Sequence, residues 1–302
     1  MNKEYFSIDQ MKQDGLRQLQ LKCLAILVYF KEICEKNNLT FYLAGGTAIG
    51  ALRHRGFIPW DDDVDVFMPR PDYEKLTRIW NEVADTSRYV FCRSTREVNY
   101  HHHAASIVDI TTTFIEKRNV NSDIPQGVMM DVIPLDGCPD SKIKRFLQLY
   151  NALKFAALNP QRLPENKSKR IYYATKTILS AVRSKHLRDS IWINAEKHMI
   201  KYGFYNNQNI TELIGEWHGM IAKHPLNDFV STVDVSFEGY KMPLMRGYDA
   251  YLRSVFGDYM QLPPPEKRVP KTIIEYANLN EPYTKYKGIY YLRKNVNSQL
   301  KG

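Results

Sequence analysis

The chain has 302 residues, 44% of them apolar and 25% charged, enough to bury a full core and still carry an appended part. No segment approaches the ~18 consecutive apolar residues that would suggest a membrane span, so a soluble protein is expected. Lys and Arg exceed Asp and Glu by 42 to 33, and the net charge of +9 favours phosphate-rich partners. Without an arginine-rich tract or an aromatic-basic ribonucleoprotein motif, nucleic acid is not expected among them.

The opening MNKEYFSIDQMKQDG lacks the basic-then-apolar layout of a signal peptide, which predicts a cytoplasmic location. Leu21, Leu24, Val28 and Phe30 to Cys34 fall at helical spacing and predict a core-facing helix over about 16–36, stopped by Asn37-Asn38. Phe41 to Ala44 reads as a short strand entering Gly45-Gly46, after which Thr47 can cap a helix through Leu52. A strand over Val64 to Met68, ended by Pro69 and Pro71, precedes a helix from Asp72 to about Val83. Tyr89 to Arg93, Ala105 to Ile115 and Gly127 to Leu135 read as further strands of the same sheet. The first half is therefore mixed α/β.

Beyond Pro139 helices dominate, with Ile143, Phe146, Leu147, Tyr150 and Leu153 at one helical spacing and Ile171, Thr175, Ile178 and Val182 at another. The other faces carry Lys142, Lys144, Arg145, Lys154, Lys167, Lys169, Arg170, Lys176, Arg183, Lys185 and Arg188. Such a face is either a solvated surface or a contact for an anionic acceptor or membrane headgroups. Thr232 to Met245 predicts a hairpin about Gly239, and Tyr248 to Phe256 a helix closed by Gly257. The scattered Cys23, Cys34, Cys92 and Cys138 form no CxxC pair and read as reduced core residues.

Asp61, Asp62, Asp63 and Asp65 would repel one another unless a cation neutralised them, which points to a divalent metal. If the run is extended, Asp61, Asp63 and Asp65 share one face, and two aspartates at alternate positions can grip one magnesium ion through hard oxygens. A solvated loop or a purely structural calcium site is the plainer alternative. Gly45-Gly46-Thr47 lies where a strand becomes a helix, so its N–H groups can hold phosphate oxygens. Arg53 could pair with phosphate one to two turns on; His54 beside it reads first as packing or capping. Asp131, inside an otherwise buried-looking strand, calls for a metal or a proton-transfer task unless it faces water at a sheet edge. The run His101 to His103 reads as a polar loop, since consecutive residues cannot converge on one ion. The segment from Asp258 through Pro263-Pro264-Pro265 to Arg268 could supply a rigid substrate wall.

Together, AGGTAIGALRHRGFIPWDDDVDVFMPRPDYEKL at 44–76 closely resembles the signature of the LicD family, phosphocholine transferases related to fukutin and fukutin-related protein. The likeness continues in GVMMDVIPLDGCP at 127–139 and YDAYLRSVFGDYMQLPPPEKR at 248–268. It implies an α/β (α+β) nucleotidyltransferase-like mixed sheet with flanking helices: a catalytic core over 1–140 and a mostly helical acceptor-side part over 141–302 packed on it. It further implies transfer of a phosphorylated alcohol from a CDP-activated donor, typically CDP-choline, to a hydroxyl of a cell-surface glycan, with CMP leaving. By the same resemblance Asp63 and Asp65 are paired ligands for Mg2+ (or Mn2+), Asp131 is the third carboxylate, and Gly45, Gly46 and Thr47 hold phosphate. Arg53 and His54 would lie on the nucleotide side, with Asp61 and Asp62 outside the direct ligands. A lipid-linked acceptor at the inner membrane face would suit the basic helices. Two other functions stay open: a nucleotidyltransferase moving NMP from an NTP, and an inactive homologue that binds glycan.

Overall fold

Two helices open the chain, α1 over Ile8–Asp14, capped by the Ser7 hydroxyl, and α2 over Leu16–Lys36. In α2 the predicted periodicity becomes a buried stripe of Leu19, Cys23, Leu27, Phe30 and Cys34, laid across the sheet. The computed structural model describes residues 3–161, 169–215 and 217–293. Lys167 and the tail beyond 293 lie outside the described residues, as do the side chains of Lys169, Arg170, Ile171 and Ile178.

Next come β1 (Tyr42–Leu43), α3 (Gly45–His54), β2 (Asp65–Pro69), α4 (Arg70–Val83), β3 (Tyr89–Cys92) and β4 (Ala105–Asp109). Two further strands are β5 (Thr113–Glu116) and the long β6 (Val128–Cys138). The main sheet runs β1-β2-β6-β4-β3, with β2 and β6 parallel and the other pairs antiparallel. Thus β6, which carries Asp131, has neighbours on both sides and is not an edge. In α4 the buried face is Tyr73, Leu76 and Trp80, and the Trp80 indole N–H donates to the Tyr89 carbonyl at 3.1 Å. Truncating so large a buried aromatic costs about 3–5 kcal/mol.

The single strand expected over 105–115 is two strands, because Asp109 accepts from Thr111 and its carbonyl from Thr112, turning the chain. After that turn β5 leaves the main sheet and pairs with β11 (Ile274–Asn278) instead.

The second half adds α5 (Lys142–Leu158), α6 (Lys169–Ala181), α7 (Lys185–Met199), β7 (Asn209–Glu212), α8 (Trp217–Ile221) and β8 (His224–Pro225). Then follow β9 (Thr232–Phe237), β10 (Tyr240–Met245) and α9 (Tyr248–Phe256), the last closed by Gly257 at φ +69°. The hairpin and α9 form as predicted, since both rest on local turn and cap chemistry. Strand β7 pairs with the last four residues of β6, so the chain beyond 140 re-enters the sheet.

One expectation reverses. The stripe of Ile143, Phe146, Leu147, Tyr150 and Leu153 points outward, and α5 buries Arg145, Gln148, Ala152, Phe155 and Leu158 against α7 and β7. Arg145, expected on the polar face, donates to Gln148 Oε1 at 2.7 Å, to Thr211 Oγ1 at 3.0 Å and to the Met220 carbonyl. Gln148 donates in turn to the carbonyls of Gly137 and Met199. These bonds satisfy the polar groups that helix docking buries, so a less apolar face can be the inner one.

Candidate active site

Strand β1 hands over to α3 through a bend in which Gly45 takes φ +46°, a conformation that costs glycine nothing. The Ala44 N–H donates to the Asp65 carbonyl at 3.0 Å, which brings the start of β2 beside the start of α3. The helix begins at Gly45, with Ala44 as N-cap and no side-chain cap, so the first N–H groups have no partner within the helix. Thr47 is therefore not the cap; its hydroxyl accepts the Asp65 N–H at 3.0 Å and clamps the two elements together. A Cβ at Gly46 would stand 2.8 Å from Asp61 Oδ2, so Asp61 rests against the glycine turn itself.

Of the acidic run only the end joins a strand. Residues 61–64 form a loop begun by a turn from the Asp61 N–H to the Ile58 carbonyl, and only Asp65 lies on β2. Buried Gln20 of α2 holds this loop by donating to the carbonyls of Ile58 at 3.3 Å and Asp61 at 2.9 Å. Strand alternation then no longer separates Asp62 from its neighbours: carboxylate oxygens of Asp61, Asp62 and Asp63 lie within 4.8 Å of one another. Asp62 is pinned from the other side, one oxygen accepting the Lys271 N–H at 3.2 Å and the other the Thr272 N–H at 3.0 Å.

Asp65 and Asp131 are register partners on the parallel strands β2 and β6, so their side chains share a face. On the other flank of β6, the Ser106 hydroxyl of β4 donates to Asp131 Oδ1. Asp62, Asp63, Asp65 and Asp131 line one small cleft, joined by Glu116 and Arg118, which pair with each other.

The crowding has an electrostatic cost. Burial and its acidic neighbours push Asp61 up to about 6, against the pull of Lys271 and Arg53. Burial of its carboxyl end, then Asp61 and Asp62, push Asp63 up to about 8, although the residue as a whole is exposed. Burial, Asp63 and Asp131 raise Asp65 well above the carboxylate range. Burial also raises Asp131, with Ser106 and Arg118 holding it down. Four carboxylates that resist ionising together form a hard anionic donor set, which is the chemistry a divalent cation satisfies. Ligand oxygens around Mg2+ at ~2.1 Å lie at most ~4.2 Å apart, so among the described residues the 61–63 cluster fits such an ion after a small contraction, whereas Asp65 and Asp131 line the same cleft but stand outside that cluster.

The glycine turn at Gly45, Gly46 and Thr47 does not line the cleft, and neither do Arg53 and His54. The latter two sit at the far end of α3, where Arg53 Nη1 donates to the carbonyls of Tyr259 at 2.9 Å and Gln261 at 3.2 Å and its Nε donates to His54 Nε2 at 2.9 Å. Burial and the neighbouring Arg53 lower the His54 pKa, consistent with this acceptor role. The 258–268 segment thus packs on the glycine-turn helix, with Phe256 over Gly45 and Arg268 over the Trp60 ring. His101 and His103 are bonded to the carbonyls of Pro160 and Ala156, each at 3.0 Å.

Sequence reading missed Lys271, Glu116, Arg118, Ser106 and Gln20. For Glu116 and Arg118 the signal was weak: Glu116 closes β5 and runs straight into Lys117 and Arg118, so it does not stand out from an apolar strand as Asp131 does. Gln20 and Lys271 carry no such mark, because their roles depend on chain segments that are distant in sequence.

Comparison with known proteins adds to this geometry. The family model described as LicD/FKTN/FKRP, nucleotidyltransferase domain, matches residues 38–125, a span that holds the glycine turn and acidic run and ends before Asp131. Over 272 residues the chain is 31% identical to the lipopolysaccharide cholinephosphotransferase LicD of Haemophilus influenzae, covering 88% of this chain and 98% of that protein. A shorter likeness, 42% identity over 48 residues, links it to an uncharacterized protein of Rickettsia prowazekii and covers 16% of this chain and 18% of that one.

Proposed function

The chain belongs to the LicD family of phosphotransferases, and on that premise we propose that it transfers a phosphorylated alcohol, phosphocholine foremost, from a CDP-activated donor to a hydroxyl of a cell-surface glycan, releasing CMP. The observation that supports this most is the convergence of Asp63, Asp65 and Asp131 on one cleft, in a chain aligned along 98% of a named cholinephosphotransferase.

In this reading residues 1–140 form the metal- and phosphate-binding core and 141–302 the acceptor side. Asp63 and Asp65 would hold Mg2+, or Mn2+ in its place, with Asp131 as the third carboxylate and Asp61 and Asp62 shaping the loop around them. Bound there, the cation supplies neutralisation of the donor diphosphate. The open N–H groups at Gly45, Gly46 and Thr47 take phosphate oxygens at the start of α3. Asp131, oriented by the Ser106 hydroxyl and raised in proton affinity by burial, would serve either as the third ligand to the cation or, ionised, as the acceptor of the proton from the attacking hydroxyl. Arg53 and His54 act through position, holding the 259–261 segment against α3.

Incubating the purified protein and Mg2+ with CDP-choline, CDP-glycerol, CDP-ribitol or each NTP, together with glycan acceptors, tests the reading. CMP from a CDP-alcohol is the expected product. Pyrophosphate from an NTP, with no CMP from any CDP-alcohol, would instead establish a nucleotidyltransferase.

A further inference from the structure

The outward stripe of α5 has no partner among the described residues that accounts for it. Ile143, Phe146, Leu147, Tyr150 and Leu153 are between 44% and 75% exposed, and recur at the three- and four-residue spacing that gathers side chains on one helix face. Lys142 and Lys144 flank the stripe at one end, both exposed, and Lys154 lies at the other, its ammonium 4.2 Å from the Tyr150 ring centroid. Neither α5 nor α6 contains an Asp or Glu. Asp140, just ahead of the helix, is the nearest exposed carboxylate in the chain.

We propose that this face of α5 is a membrane-docking surface, lying in the interface of a bilayer that contains anionic phospholipid. An apolar stripe with a phenol and lysines at its margins is the pattern that sinks into the headgroup boundary while ammonium groups reach lipid phosphates. A second copy of the chain fits less well. Self-pairing would bring Lys142, Lys144 and Lys154 against their own copies without a carboxylate on the helix to offset them. The stripe also exposes on the order of 500 Å², below the ~800 Å² per partner of a standard stable interface. No helix among the described residues is long and apolar enough to cross a membrane, so α5 would bind in the plane of the surface. Docking of this kind does not depend on the chemistry proposed for the cleft.

Flotation of the full chain with vesicles tests the proposal. At low salt, binding to phosphatidylcholine vesicles containing about 30% phosphatidylglycerol should exceed binding to phosphatidylcholine alone and weaken as salt rises. The double variant Ile143→Asp/Phe146→Asp, whose sites are exposed and should leave the far-UV CD spectrum unchanged, should bind the anionic vesicles about ten-fold or more weakly. In Phe146→Trp, indole emission should shift to the blue and be quenched by brominated lipid. Equal binding to both vesicle types, undiminished binding of the double variant, or a parental dimer that the double variant converts to monomer would each overturn it.

Discussion

Removing the carboxylate of Asp136 should destabilise the protein strongly while leaving the cleft residues in place. Asp136 is 0% and Arg70 6% exposed, and two parallel hydrogen bonds join them, 2.8 Å from Nε and 2.7 Å from Nη2. Asp136 lies on β6 five residues beyond Asp131 and so on the opposite face of the sheet, while Arg70 opens α4 directly after β2. The pair therefore ties together the C-terminal ends of the two parallel strands whose N-terminal ends carry Asp65 and Asp131. In Asp136→Ala the guanidinium keeps Glu74 at 3.4 Å, Glu196 at 4.0 Å and the face of the Tyr73 ring, 5.1 Å from its centroid. Stranding one member of a buried pair costs about 3–5 kcal/mol, and the two remaining carboxylates favour the lower end. At roughly 2–4 °C per kcal/mol for a large domain, Tm should fall by about 6–12 °C. Thermal unfolding followed by circular dichroism measures this, with Arg70→Met/Asp136→Leu beside it, since an apolar replacement of the whole pair should recover most of the loss. A single variant that melts within about 2 °C of the parent, or a double variant no better than the single one, would refute the reasoning.

Asp63→Asn and Asp65→Asn should each lower turnover by ~10²–10³ or more, because each removes a carboxylate able to ligate the cation, with CD spectra unchanged, because in the metal-free fold these groups already favour their neutral form; unfolding of both would mark a structural ion instead. The raised carboxylates give a pH dependence of definite sign. Asp61 and Asp63 in the fold keep protons up to about 6 and about 8, whereas unfolded aspartates lose them near ~4. Metal-free stability is therefore greatest in acid and falls as pH rises from ~4 through about 8, and added Mg2+ should raise Tm more at pH 8 than at pH 5. A metal-free protein that gains stability over that range would contradict the assignment. Gly46→Ala should impair catalysis more than folding, since its Cβ would meet Asp61 Oδ2 at 2.8 Å and shift the loop that carries Asp63; kinetics at saturating Mg2+ equal to the parent's would show that the loop yields freely.

Much of the scaffold was legible because it rests on near-neighbour chemistry. The bounds of α2, the hairpin about Gly239, the end of α9 at Gly257 and the strand–glycine–helix succession at 42–54 all follow from caps, turns and periodicity over a few residues. Asp131 was legible too, since a carboxylate in an apolar strand is conspicuous wherever the strand lies. The acidic run misled, because the spacing argument presumed a strand throughout, whereas β2 begins only at Asp65 and Asp61 sits in a turn closed by its N–H on the Ile58 carbonyl.

By itself, then, the sequence determined which local pieces form and which residues carry chemistry worth placing, together with the family they resemble. Tertiary structure alone decided that Asp65 stands beside Asp131, that the backbone of Lys271 and Thr272 grips Asp62, and that Arg53 spends its hydrogen bonds on the 259–261 carbonyls. It also decided that α5 turns its apolar stripe outward. Periodicity states that a helix has two faces, but which face is buried depends on the groups that meet it, and for α5 these are the hydrogen-bonding partners of Arg145 and Gln148, some more than fifty residues away.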